Sequence, residues 1–140
     1  MSFTLGEYIF KHIVNKNNKN SDYYIVSRAT SYEEIGNDIY PPIKRVLDKY
    51  KVPYDRHFAT RLKGSDYDEY DLFLCMDHYN VINTERIFLG DPKRKIHLLS
   101  EFVSLSGDVE DPWYTLNFES VLNQIKRYSE LLFFKLEERS

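Results

Sequence analysis

Leu72-Phe73-Leu74-Cys75-Met76 is a continuous apolar run, closed on both sides by an aspartate, Asp71 and Asp77. Its length and lack of alternation predict a strand buried on both faces, as in a parallel sheet. A parallel neighbour requires a crossover connection, usually a helix. Asp77 reads as the cap of such a helix, carrying Val81, Ile82, Ile87 and Phe88. Gly90-Asp91-Pro92 breaks it. Lys95-Ile96-His97-Leu98-Leu99 follows as another short strand.

The same alternation extends upstream. Thr4 and Glu7 have the spacing of a capping box. Leu5, Ile9 and Ile13, with Phe10 and Val14 beside them, form a helical apolar face. The polar run Asn15-Lys16-Asn17-Asn18-Lys19-Asn20 ends that helix. Tyr23-Tyr24-Ile25-Val26-Ser27 has strand composition. Residues 28–37 read as a loop with Gly36, 41–50 as a helix with prolines in its first turn, and 52–62 as mixed loop. A last helix carries Phe118, Val121, Leu122, Ile125, Leu132 and Leu136 as a long stripe. Strands alternating with helices predict an α/β fold with a short parallel sheet. Three strands is few for such a sheet, and opening on a helix is unusual for it.

A length of 140 residues suits one domain. Hydrophobic residues make up 42%, enough for a core, and twelve tyrosines and nine phenylalanines make that core aromatic. The net charge of −3 and one short basic run, Lys93-Arg94-Lys95, argue against nucleic-acid binding. No apolar run approaches the roughly 18 residues of a membrane span. Glu7, Lys11 and His12 interrupt any cleavable signal. A single cysteine excludes an internal disulfide and fits a reducing cytoplasm. His12, His57, His78 and His97 show no metal-ligand spacing, and one cysteine cannot make a structural zinc site. Asp66, Asp68, Glu69 and Asp71 lack the glycine and terminal glutamate of a calcium loop, so a capped, solvated turn is expected. No cofactor is implied.

Four segments, in order, resemble the low-molecular-weight protein tyrosine phosphatases. Thr4-Leu5-Gly6-Glu7-Tyr8-Ile9-Phe10 is similar to that family's helix after its phosphate loop. Ser27-Arg28-Ala29-Thr30-Ser31 is similar to its Ser-Ala-Gly-Thr-Ser turn, with Arg28 and Ala29 in place of the usual Ala and Gly. Asp68-Glu69-Tyr70-Asp71-Leu72-Phe73-Leu74-Cys75-Met76-Asp77 resembles its third strand. Asp111-Pro112-Trp113-Tyr114 resembles its general-acid loop.

The resemblance implies a three-layer α/β/α domain over residues 1–140, with Asp111 as general acid. It implies that Trp113, Tyr114 and Tyr32 contact the substrate, a phosphotyrosine protein or a small aryl phosphate. These residues contain no counterpart of the family's Cys-x5-Arg phosphate loop or of its central first strand. The expectation is therefore an N-terminally truncated domain, inactive as it stands, or a catalytically dead binding module. Arsenate reduction on the same fold would need thiols beyond Cys75. Cys75 lies in a predicted buried strand, and position 81, where the family's loop arginine would fall, is Val. Loss of a middle strand would leave two edges about twice the ~4.8 Å strand spacing apart. Three outcomes are open: the flanking strands close up, another chain (a second copy among the candidates) adds a strand to the unpaired edges, or the monomer is poorly stable; lower stability than a full-length relative is expected. Gly6, early in a helix, should cost about 1 kcal/mol against Ala.

Overall fold

In a computed structural model of the chain, residues 2–30, 41–54, 60–105, 107–108 and 118–139 are described. The apolar run forms β1 (Phe73–Cys75), which pairs in parallel with β2 (Ile96–Leu98). The register sets Phe73 against Ile96 and Cys75 against Leu98. Successive side chains of a strand point to opposite faces, and this strand uses both. Leu72, Leu74 and Met76 pack into the main core. Phe73 turns the other way, with its ring 4.8 Å from that of Phe88 and 6.0 Å from that of Tyr67. Cys75 also points there, its Sγ 3.6 Å from the Thr84 hydroxyl.

Those two directions define the layers. On one side lie α1 (Ser2–Lys16), α2 (Pro41–Lys49) and α6 (Phe118–Glu138). On the other lie the single-turn α3 (Asp66–Glu69) and α4 (His78–Phe88). A further single turn, α5 (Leu99–Phe102), leaves β2 directly. The main core joins Leu5, Ile9 and Val14 of α1 to Val121, Ile125 and Leu132 of α6, with Leu47 of α2. These positions recur at helical spacing and are almost fully buried, so the two long helices zip together along their apolar stripes. The expected α/β/α arrangement with a short parallel sheet is what the chain forms.

Local signals place the ends of α4. Asp77 Oδ1 accepts from the Asn80 amide at 2.7 Å, the cap read from sequence. At the other end Leu89 is left-handed (φ 57°), and the Gly90 amide donates to the Glu85 carbonyl at 2.9 Å. Gly90 itself has φ 124°, a conformation that favours glycine.

Four expectations are corrected. The first helix starts at Ser2, so Thr4 is not its cap; it is buried inside the first turn. Glu7 does not close a capping box. Its carboxylate accepts from the Ser27 amide at 2.7 Å and the Ser27 hydroxyl at 2.6 Å, and it pairs with Lys11 at 2.7 Å. Residues 23–27 are not a strand. Tyr23 and Ile25 pack against the core, but among the described residues no backbone ladder reaches this segment, and composition without a partner makes no sheet. The pairing occurs beyond it, in a stretch read as loop. Ala29 and Arg61 form a parallel bridge, with Ala29 N–H donating to the Thr60 carbonyl and Leu62 N–H to the Ala29 carbonyl, both at 2.8 Å.

The acidic stretch also does more than expected. Asp66 is buried at the start of α3, and its carboxylate accepts from the Lys63 amide at 2.9 Å. A Cβ at Gly6 would lie 2.5 Å from Met76 Cε, the mobile end of a side chain that can move aside.

Asp91 organises the entry to β2. Its Oδ1 accepts from the Tyr67 hydroxyl and the Lys95 amide, both at 2.7 Å, and its Oδ2 from the Ile96 amide at 3.0 Å. Burial alone would push its carboxyl up. The Tyr67 hydroxyl and the Ile96 and Lys95 amides outweigh that and hold it below its ordinary value. A carboxyl lowered by folding contributes stability that is complete above its ordinary value of 3.8 and lost as pH falls through the folded value. Asp91→Asn should therefore lower stability at neutral pH by about 1–3 kcal/mol. It should also flatten the acid limb of a stability–pH curve measured by urea unfolding. An acid limb identical to the parent's would contradict this.

Candidate active site

In parallel α/β sheets, ligands bind beyond the carboxyl ends of the strands. Here those ends lead into Asp77 and His78 after β1, and into Leu99 and Ser100 after β2. Both hold the chain segment at residues 107–108. Ser100 is fully buried, and its hydroxyl donates to the Gly107 carbonyl at 2.5 Å. Gly107 has φ 91°, which a residue with a side chain adopts only under strain. Asp108 Oδ1 accepts from the His78 amide at 3.1 Å and lies 2.7 Å from His78 Nδ1. His78 Nε2 lies 3.9 Å from Glu101 Oε1.

The first turn of α4 reaches a second segment as well. The Asn80 side-chain amide donates to the Thr30 hydroxyl at 3.3 Å. Thr30 closes the Ser27–Thr30 stretch that begins at the Glu7 carboxylate. Arg28 is turned aside: its guanidinium donates to the Ser27 carbonyl at 2.8 Å and to the Tyr70 hydroxyl at 3.5 Å. The Tyr70 ring stacks on that of Tyr24, with centroids 6.1 Å apart. Residues 30 and 108 thus converge on one helical turn, supplied by His78 and Asn80.

Asp111, Trp113, Tyr114 and Tyr32, the residues proposed from sequence for acid and substrate roles, lie outside the described residues. In sequence, Thr30 lies two positions before Tyr32 and Asp108 three before Asp111. His78, Asn80 and Ser100 were not singled out from the sequence as site residues. His78 shows no metal-ligand spacing, and a contact thirty residues away leaves no spacing signal either.

Cys75 is buried, with 6% of its surface exposed. Burial pushes its thiol up to about 11, and the bond to Thr84 only partly opposes this. A reactive thiol needs the opposite shift, toward the thiolate. Among the described residues no group of three or more His, Cys, Asp or Glu side chains could hold a metal ion. Among the same residues no helix is long and apolar enough to cross a membrane.

Comparison with known proteins agrees with this fold. The family model of low molecular weight phosphotyrosine protein phosphatase matches residues 3–140. The low molecular weight protein-tyrosine-phosphatase PtpA of Staphylococcus epidermidis is 32% identical over 107 residues, covering 76% of this chain and 68% of that protein. The PtpA of Staphylococcus aureus is 30% identical over 105 residues, covering 74% of this chain and 66% of that one. Among solved structures, YfkJ from Bacillus subtilis superposes with a TM-score of 0.91 at 25% identity, covering 98% of this chain and 87% of that one. The low molecular weight protein tyrosine phosphatase SP-PTP from Streptococcus pyogenes gives 0.82 at 30% identity, covering 95% and 83%. The fold is that of a phosphatase-like α/β domain. The chain belongs to the low-molecular-weight phosphotyrosine protein phosphatase family.

Proposed function

We propose that residues 1–140 carry the acid half of a phosphotyrosine phosphatase and not its nucleophile. In this reading Asp111 protonates the leaving phenolate and then activates water, while Trp113, Tyr114 and Tyr32 wall the phenol ring. Hydrolysis through a cysteinyl-phosphate also needs a thiolate and a cradle of amides and an arginine. The observation that carries the reading is the state of the single thiol. Cys75 is buried, its pKa is raised, it is bonded to Thr84, and Val81 stands where an arginine would be needed. Phosphotyrosine hydrolysis then belongs to a longer form that includes a Cys-x5-Arg loop, in a cytoplasmic setting.

The test is hydrolysis of an aryl phosphate by the purified 140-residue chain, beside Asp111→Ala and Cys75→Ser. All three should show the same background. Turnover that falls on either substitution would overturn the reading. In a form that contains the phosphate loop, Asp111→Ala should lower kcat by roughly 10²–10⁴-fold.

A second reading, interaction through the sheet, is favoured by one feature. Residues 23–28 run without a ladder partner and β1 is paired along one edge only, among the described residues. Unpaired strand edges accept other strands. Self-association through these edges would appear in sedimentation velocity as a mass rising with concentration. A constant monomer mass into the high micromolar range would remove the homo-oligomer.

A further inference from the structure

We propose that the outer edge of β2 is a docking groove for an extended peptide of the pattern apolar–acidic–apolar, which adds to the sheet as a short strand. The groove encloses about 390 Å³ between the two helical layers, with His78 and Val81 of α4 on one wall and Phe102 of α5 and Lys135 of α6 on the other. It requires neither a nucleophile nor Asp111.

The pairing with β1 fixes which backbone groups of β2 face outward. The Phe73 amide bonds the Lys95 carbonyl, and along a strand alternate residues turn their backbone groups to opposite edges. Lys95 and His97 therefore face β1, and Ile96 and Leu98 face away. Two of the four outward groups are taken. Ile96 N–H donates to Asp91 Oδ2 at 3.0 Å, and the Leu98 carbonyl opens α5. The Ile96 carbonyl and the Leu98 N–H have no hydrogen-bond partner among the described residues. They flank His97 and match the N–H and C=O of one residue of a parallel neighbour. Asp91 and α5 close the edge on both sides, so the pairing is one residue long and does not propagate from chain to chain.

The walls select the side chains. Ile96 and Leu98 pair with Phe73 and Cys75 and share their face, toward α4. His97 takes the other face, its ring 5.0 Å from that of Phe102. A docked residue opposite His97 places its side chain on that same face. There Lys135 Nζ lies 4.3 Å from the Phe102 ring centroid and the Arg139 guanidinium 5.7 Å. Lys135 donates one proton to the Phe102 carbonyl and keeps two, which suits an acidic side chain. His97 holds its Nε2 at the Arg94 carbonyl, 3.0 Å away. Glu101, the carboxylate among the lining residues, stands at the α4 wall, 3.9 Å from His78. Residues on either side of the docked one turn toward α4 and meet Val81, Ile96 and Leu98, which favours apolar side chains.

The probe is the capped peptide Ser-Val-Glu-Val-Ser, titrated into the isotope-labelled 140-residue chain with the Leu98 and Leu74 amides followed by NMR. The Leu98 amide should shift saturably, and the Leu74 amide, on the open edge of β1, should not. Gln in place of the central Glu should weaken binding by about two- to fivefold, the range of an exposed ion pair. Lys135→Met should cause the same loss with the Glu peptide and abolish the difference between Glu and Gln. N-methylation of the central Glu removes the proton offered to the Ile96 carbonyl and should weaken binding roughly tenfold.

A Leu98 amide unmoved at millimolar peptide would overturn the proposal, as would a shift at Leu74 alone, which puts the peptide on β1. Equal binding of the N-methylated peptide excludes strand addition, and equal binding of the Gln peptide excludes the acidic preference. Both peptide comparisons use the parent chain, so they decide even if Lys135→Met fails to fold.

Discussion

β1 is apolar on both faces, and the rest of the molecule is arranged around that fact. Leu72, Leu74 and Met76 can be buried only if helices cover one side, and Phe73 and Cys75 only if others cover the opposite side. The layer of α1, α2 and α6 meets the first demand, and α3 with α4 the second. The pleat has a period of two residues, so a register slip of one would exchange the two sets. Phe73 would then face the main core and Leu74 the Tyr67–Phe88 rings. The pairing with β2 and the Asp91 cage at its entry hold the register in place.

The same strand pair carries the site. Chain leaving β1 presents Asp77, His78 and Asn80, and chain leaving β2 presents Ser100. Together they hold residues 30, 107 and 108. The thiol on the same strand faces away into the α4 layer. Position on β1 thus separates a structural cysteine from the residues that shape the site.

Much of this was legible in the sequence because the signals were local. The unbroken run 72–76, the Asp77 cap, the Gly90 break and the stripe of Val121, Ile125 and Leu132 each sit within one element. The family resemblance was carried by four such local segments. What was not legible depends on distant partners. Glu7 has the spacing of a capping box but spends its carboxylate on Ser27, twenty residues on. Residues 23–27 have strand composition, yet the ladder forms at Ala29 and Arg61. His78 gave no sign of Asp108. Intrinsic preference supplies candidates, and tertiary contact selects among them.

The central claim is that β1, paired along one edge only among the described residues, holds two layers apart. Amide hydrogen exchange on the 140-residue chain tests it most directly. The Phe73 amide donates to the Lys95 carbonyl at 2.8 Å and should be strongly protected. The Leu74 amide points to the opposite edge of the strand and should exchange much faster. Equal, strong protection of both in a monomeric sample would mean that the second edge is covered, and the account of β1 as an open edge would be wrong.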